Sequence, residues 1–197
     1  MKKYLFLFLI LLATPASAGF ESVIQYYNAA GGGCVADSTV VGTDSEGTAQ
    51  LALAEGVIVW NKFTASQSCT VDTMSRYVID GSSAPGAIAI YADNGSGTAP
   101  SGTPIANTGT ESPPDSTNAW NETALSSAVA ITSSTVYWIA LWGGTDSGSD
   151  GFRTAKAVTG GTHCYAAGQG DIGTWPNASE ATCEGGTELY SVKALAQ

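Results

Sequence analysis

"TVYWIALWGG" fills residues 135–144, and its reading decides the fold. Val136, Trp138, Ala140 and Trp142 alternate with Tyr137, Ile139 and Leu141. A period of two is that of a β-strand, whose successive side chains point to opposite faces. Both faces here are apolar. That marks a central strand whose second face is covered by loops or by a neighbouring subunit. "GAIAIYADN" (86–94) has the same character, with Ile88 and Ile90 on one face and Ala87, Ala89 and Tyr91 on the other. Trp138, bracketed by Val136 and Ala140, is expected in the core. Trp142 stands where the strand runs into "GG" and is open between core and solvent.

Working outward, further strand patterns lie at 22–28, 38–42, 50–65 (one or two strands), 70–80, 103–109, 127–131, 151–158 and 188–196. Helix periodicity is nearly absent. Gly, Pro, Asn and Ser interrupt the chain about every 8–12 residues, the spacing of an all-β sandwich. Loops rich in turn formers occupy 80–86, 93–102, 110–118 and 143–151. Nothing repeats, and no linker divides the chain, so one sandwich domain is expected over 34–197.

Residues 1–18 read as a secretory signal peptide: basic "MKK", the apolar run "YLFLFLILLA", then "TPASA" with small residues. The apolar run is shorter than the roughly 20 residues a membrane helix needs. The expected destination is secreted, extracellular or at the cell surface. The chain has seven Lys and Arg against seventeen Asp and Glu, a net charge of −10. Such a chain repels a phosphate backbone, which excludes nucleic acid as a partner. The polar surface is instead rich in Gly, Ser, Thr and Asn, which suits uncharged partners or close neighbours of the same kind.

Cys34, Cys69, Cys164 and Cys183 are even in number in an exported chain, the pattern of structural disulfides. Four cysteines allow three connectivities. The shorter loops favour Cys34–Cys69 and Cys164–Cys183.

"WNKFTA" (60–65), "TVDTMSRYVI" (70–79), "GAIAIYADNGSGTAPSGTPIA" (86–106), "AW" (119–120), "TVYWIAL" (135–141) and the terminal "LYSVKA" follow one another in an order that resembles a group of secreted microbial jelly-roll modules. Those modules look like carbohydrate-binding modules. The resemblance spans about 57–197 and implies a jelly-roll β-sandwich with a polysaccharide or cell-surface glycan as partner. It supplies no site, because fold and function are separable.

Aromatic faces stack on sugar rings with little need for charge. Trp60, Trp120, Trp138, Trp142 and Trp175, with Tyr77, Tyr91, Tyr137 and Tyr165, are the available rings. Trp142 (if its strand end faces solvent), Trp175 (in the loop "GTWPN", where exposure is expected) and Tyr165 are the candidates for ligand contact. Calcium is a second possibility. "DSGSDG" (146–151) lacks an oxygen ligand at its third position and the closing Glu, so it is not an EF-hand loop. Asp93, Asn94, Asp146 and Asp150 are candidate ligands for a calcium site of another kind, against a simpler role as turn formers. For catalysis there is one histidine, His163, beside Cys164, and no G-x-S-x-G elbow. The expectation is a non-catalytic binding or adhesion module, with a hydrolase as a minor alternative.

The N-terminal segment 19–33 carries a different possibility. "FESVIQYYNAAGGG" (20–33) is a strand pattern followed by three glycines. Either Val23, Ile24, Tyr26 and Tyr27 form an assembly strand that adds to a neighbour's sheet, giving a filament of copies of the same chain, or the strand folds back onto its own sheet with "GGG" as a turn.

Overall fold

A computed structural model describes residues 34–47, 49–53, 56–78, 86–110, 118–143, 152–158, 161–169, 174–184 and 188–197. Among them are thirteen strands and one short 3-10 turn, Ala178–Glu180. The strands are β1 (Thr39–Gly42), β2 (Ala49–Leu53), β3 (Ile58–Thr64), β4 (Cys69–Val78), β5 (Gly86–Asp93), β6 (Pro100–Asn107), β7 (Ala119–Ile131), β8 (Val136–Gly143), β9 (Phe152–Val158), β10 (His163–Ala166), β11 (Thr182–Glu184), β12 (Glu188–Tyr190) and β13 (Val192–Ala196).

They form a four-stranded sheet β1-β13-β4-β7, a six-stranded sheet β11-β10-β3-β8-β5-β6 and a small sheet β12-β9-β2, with every pairing antiparallel. Eight strands carry the sandwich: β1, β3, β4, β5, β6, β7, β8 and β13. Counted in chain order, they run first–eighth–third–sixth in one sheet and second–seventh–fourth–fifth in the other. That is the strand order of a jelly roll. The all-β sandwich read from the sequence is thus the fold.

The alternation of β8 and β5 builds two apolar layers. Tyr137, Ile139 and Leu141 of β8 and Ile88 and Ile90 of β5 point between the sheets. There they meet Val71 and Met74 of β4 and Val192 and Ala194 of β13. Trp138, Ala140 and Trp142 of β8 and Ala87, Ala89 and Tyr91 of β5 point to the other side of the six-stranded sheet, into a second buried layer. Trp138 is buried as expected, but in this outer layer rather than between the sheets. What covers the outer layer is a strap, residues 174–181, which places Trp175 and Ala178 against it.

Both disulfides pair as the shorter loops favour, Cys34–Cys69 and Cys164–Cys183. The first ties the chain just before β1 to the start of β4. The second joins directly opposed residues of β10 and β11, at the root of the strap. Disulfides of this kind fit an oxidising compartment.

Several strands differ from the sequence reading, β7, β10 and β11 the most. β7 begins at Ala119 rather than 127, because Ala119, Asn121 and Thr123 lack the apolar signal. Its pairing with β4 is also irregular, since Val71 faces Val129 and Thr73 faces Ala124, so four residues, Leu125 to Ala128, stand against Asp72, and Leu125 still reaches the core. β10 and β11 are four and three residues long and too short to show a period.

Candidate functional site

The outer layer holds most of the rings. On the six-stranded sheet, Trp60 of β3 lies opposite Ala140 of β8, and Ala140 lies opposite Ala89 of β5. The small residues leave room above the sheet, and the large rings fill it. Trp60 meets Tyr91 edge-to-face at 5.8 Å between ring centroids. Trp175 closes the circle, at 6.3 Å from Tyr91 and 5.2 Å from Trp142, both edge-on. Trp142 is 1% exposed and Trp175 9%. The expectation that Trp175 faces solvent is therefore corrected, and Trp142, left open between core and solvent by the sequence, is enclosed. The strap that carries Trp175 folds down onto the sheet, and Trp142 lies beneath it. Apolar area removed from water drives this, at about 25 cal/mol per Å².

Two indole nitrogens of the layer, Trp60 Nε1 and Trp142 Nε1, are buried without a hydrogen-bond partner. Burial pushes the Tyr91 phenol well above its ordinary value, and the Trp60 indole beside it offsets part of that rise. Trp60 therefore has a polar neighbour in Tyr91, and Trp142 carries the clearer unmet donor. The Tyr91 hydroxyl donates to the Pro176 carbonyl at 3.1 Å, tying strap to sheet.

The β5–β6 loop holds two of the calcium candidates. Asp93 Oδ1 accepts from Trp138 Nε1 at 2.8 Å, while Oδ2 accepts from the amides of Gly95 (2.7 Å) and Gly97 (2.8 Å). Gly95 and Gly97 have φ of +86° and +70°, a conformation that glycine adopts without steric cost. Asn94 Oδ1 accepts from the Ser96 amide and hydroxyl, and its Nδ2 donates to Thr98. Both side chains are thus engaged as turn formers, with N–H donors aimed at the oxygens a cation would need. Burial raises the Asp93 carboxyl, but the hydrogen bonds from Trp138, Gly97 and Gly95 and the charge of Lys62 outweigh it. The group rests below its ordinary value. Asp146 and Asp150 lie outside the described residues, as do 1–33 with Val23, Ile24, Tyr26 and Tyr27. A groove of about 580 Å³ runs between this loop and Thr135, Val136 and Tyr137.

Among the described residues, two further rings remain partly open on the outer face of the four-stranded sheet. Along β4, Met74 and Val78 are buried while Tyr77 is half-buried, so Tyr77 points outward. Its cross-strand partner is Trp120 of β7. The two rings meet at 5.6 Å, edge-to-face. Lys193 of β13 places Nζ 4.3 Å from the centre of the Trp120 ring. β4 lies between β13 and β7, and Ser75, the β4 register partner of Lys193, is fully buried. Lys193 Nζ also donates to Asp44 Oδ1 at 2.9 Å, and Thr39 donates to the same oxygen at 2.6 Å. The Thr39 hydrogen bond, then Lys193, hold the Asp44 carboxyl below its ordinary value. The Tyr77 phenol is raised, by burial and by the Glu46 carboxylate that it engages. An aromatic pair is thereby flanked by Asp44, Glu46 and Lys193 on one sheet face.

This pair belongs to the aromatic set in the sequence, yet nothing there singled it out. The available signal was Trp120 inside "AWNETA", a large ring on a strand whose neighbours are polar. Tyr165, the third expected contact, is 38% exposed on β10, far in sheet order from Tyr77 and Trp120. His163 stands opposite Asn61 in the pairing of β10 with β3. Asn61 is itself engaged, its Oδ1 accepting from the Tyr190 amide at 2.8 Å. No protein-family model matches the chain, and no curated protein matches it either.

Proposed function

We propose that this chain is a non-catalytic extracellular binding module. It holds polysaccharide or cell-surface glycan against the outer face of the four-stranded sheet. The observation that carries this reading is the Tyr77–Trp120 pair, directly opposed on β4 and β7 and partly open to solvent. Sugar rings present C–H faces to indole and phenol rings and hydroxyls to polar groups at the rim. Asp44, Glu46 and Lys193 supply those groups. The Lys193 ammonium and the Tyr77 edge fix the Trp120 ring in advance, which lowers the ordering cost of binding. A net charge of −10 with few charged residues suits an uncharged polymer, and the likeness to carbohydrate-binding modules points the same way. The test is retention of the secreted protein on immobilised polysaccharides. Trp120→Ala and Tyr77→Ala should abolish it while leaving the far-ultraviolet spectrum unchanged. Unaltered retention in both variants would remove the sheet face as the site.

A second reading is favoured by one observation, the Cys34–Cys69 disulfide. It fixes the residue that follows "GGG" to the start of β4. On this reading the strand pattern in 19–33 pairs with another copy, so that the chain assembles into a filament. Electron microscopy of the secreted protein tests this. Filaments that persist after deletion of 19–30 exclude strand exchange.

A further inference from the structure

The layer beneath the strap has the construction of a filled site. Its floor is Ala89 and Ala140, which oppose each other on β5 and β8. Its walls are Trp60, Tyr91 and Trp142, and its occupant is the Trp175 indole. Three features set Trp175 apart from an ordinary core residue. First, it comes from the strap and not from the sheet. Second, among the described residues one hydrogen bond joins strap 174–181 to the sheet, from the Tyr91 hydroxyl to the Pro176 carbonyl. The others of the strap, Ser179 to Asn177 and Ala181 to Ala178, stay within it. Third, the Trp142 indole N–H is buried beside Trp175 and meets no acceptor. An unmet buried donor costs about 1–3 kcal/mol and is uncommon in a settled core. An edge-to-face contact with Trp175 returns only a second-order part of it.

We propose that Trp175 is a plug in a slot for one sugar ring. With the strap lifted, Trp60, Tyr91 and Trp142 surround a floor of two alanines. The Trp142 N–H then meets the acceptor it lacks in the closed form, a hydroxyl or ring oxygen of the sugar. A pyranose is close to an indole in size, and its C–H faces suit the same walls. The Cys164–Cys183 bridge closes the strap into a loop, so the plug lifts without leaving its root. This slot is separate from the Trp120 face and rests on the glycan reading above, which supplies the class of ligand.

The test uses the full secreted chain carrying Trp120→Ala, which silences the sheet face, titrated with cello-oligosaccharides and chito-oligosaccharides. Tyr91→Phe keeps the ring and cuts the tether to Pro176. A hydrogen bond worth about 0.5–1.5 kcal/mol held the plug down, so its loss should tighten binding roughly 2- to 10-fold. Trp175→Ala should tighten it further. Trp142→Phe, added to Tyr91→Phe, keeps a ring and removes the N–H, and should cancel the gain. The proposal is overturned if folded Tyr91→Phe binds no oligosaccharide or binds no more tightly than its parent. It is equally overturned if Trp142→Phe leaves the affinity unchanged. Should Trp175→Ala fail to fold, the Tyr91 and Trp142 variants decide alone. If Trp120→Ala abolishes retention on polysaccharide while these variants bind nothing, the sheet-face site stands and the slot falls. If Trp120→Ala changes nothing while the slot variants respond as stated, the reverse holds.

Discussion

Trp138 Nε1 donates to Asp93 Oδ1 across 2.8 Å, and this bond joins the buried outer layer to the loop that leaves β5. Tyr91 and Trp138 are cross-strand partners, so Asp93 lies one step further along the same face of β5. The indole is wholly buried and has its one polar atom satisfied at the rim. The same carboxylate orders the turn through the amides of Gly95 and Gly97. Asp93→Ala leaves these three donors without their acceptor. Hydrogen bonds to charged groups contribute about 1.5–3 kcal/mol each when buried and less where water reaches them. A net loss of about 1–3 kcal/mol is expected in urea unfolding, with no change in the far-ultraviolet spectrum of the folded protein. A variant as stable as the parent would show that the loop holds without its carboxylate.

The same group gives a pH dependence of known sign. The folded Asp93 carboxyl lies below its ordinary value of 3.8, because the bonds from Trp138 and the two amides outweigh burial. The folded state therefore favours the ionised form. Its contribution is complete above the unfolded value and is lost as the pH falls through the lower folded value. Asp44 behaves alike, its hydrogen bond from Thr39 coming first and Lys193 second. Thermal midpoints measured from about pH 6 down to about pH 2 should fall more steeply in the parent than in Asp93→Asn, which has no carboxyl at that site to protonate. Parallel curves would remove Asp93 from the acid response.

How much of this was written in the sequence depends on the element. β8 and β5 were legible because every second residue is apolar on both faces, and a strand of that kind has few places to go but the centre. The disulfide pairing followed from loop length, since the two bridges close separations of 35 and 19 residues. The placement of Trp142 and Trp175 was not legible. A glycine-rich strand end and a Gly–Thr–Trp–Pro loop look like exposed sites locally. Their burial comes from the strap crossing a sheet that is distant in sequence, and no local pattern records it. Tyr77 and Trp120 were obscured for the converse reason. They face each other across β4 and β7, 43 residues apart in the chain, and only the register brings them together.

The two disulfides should differ in what their loss exposes. Cross-linking a loop of 19 residues stabilises by about 3 kcal/mol through the unfolded chain, and one of 35 by slightly more. Cys164→Ser with Cys183→Ser releases the root of the strap. Beyond the stability loss, acrylamide should reach the tryptophans of the folded variant more readily, because Trp175 and Trp142 share that layer. Cys34→Ser with Cys69→Ser should cost as much stability without that gain in quenching, since Cys69 packs between the sheets. Equal quenching in both pairs would show that the bridge at Cys164 does not govern the strap.

Trp142 and Trp120 provide the sharpest contrast, because one side chain is enclosed and the other stands on a sheet face. Trp142→Ala empties a volume lined by Ile58, Ala87 and Trp175, and large aromatic truncations in a core cost about 3–5 kcal/mol. Its effect on retention by the sheet face should appear only through lost fold. Trp120→Ala removes a half-buried ring, its edge contact with Tyr77 and the cation over its face. Partly exposed aromatic and cation contacts of this kind amount to about 1–2 kcal/mol together. The Trp120 variant should therefore unfold only slightly earlier than the parent, yet lose the retention that the sheet face supplies. Paired urea unfolding and column measurements on the two variants separate these roles. A Trp120→Ala protein that is retained like the parent, or a Trp142→Ala protein that is fully stable, would reverse the assignment of the two rings.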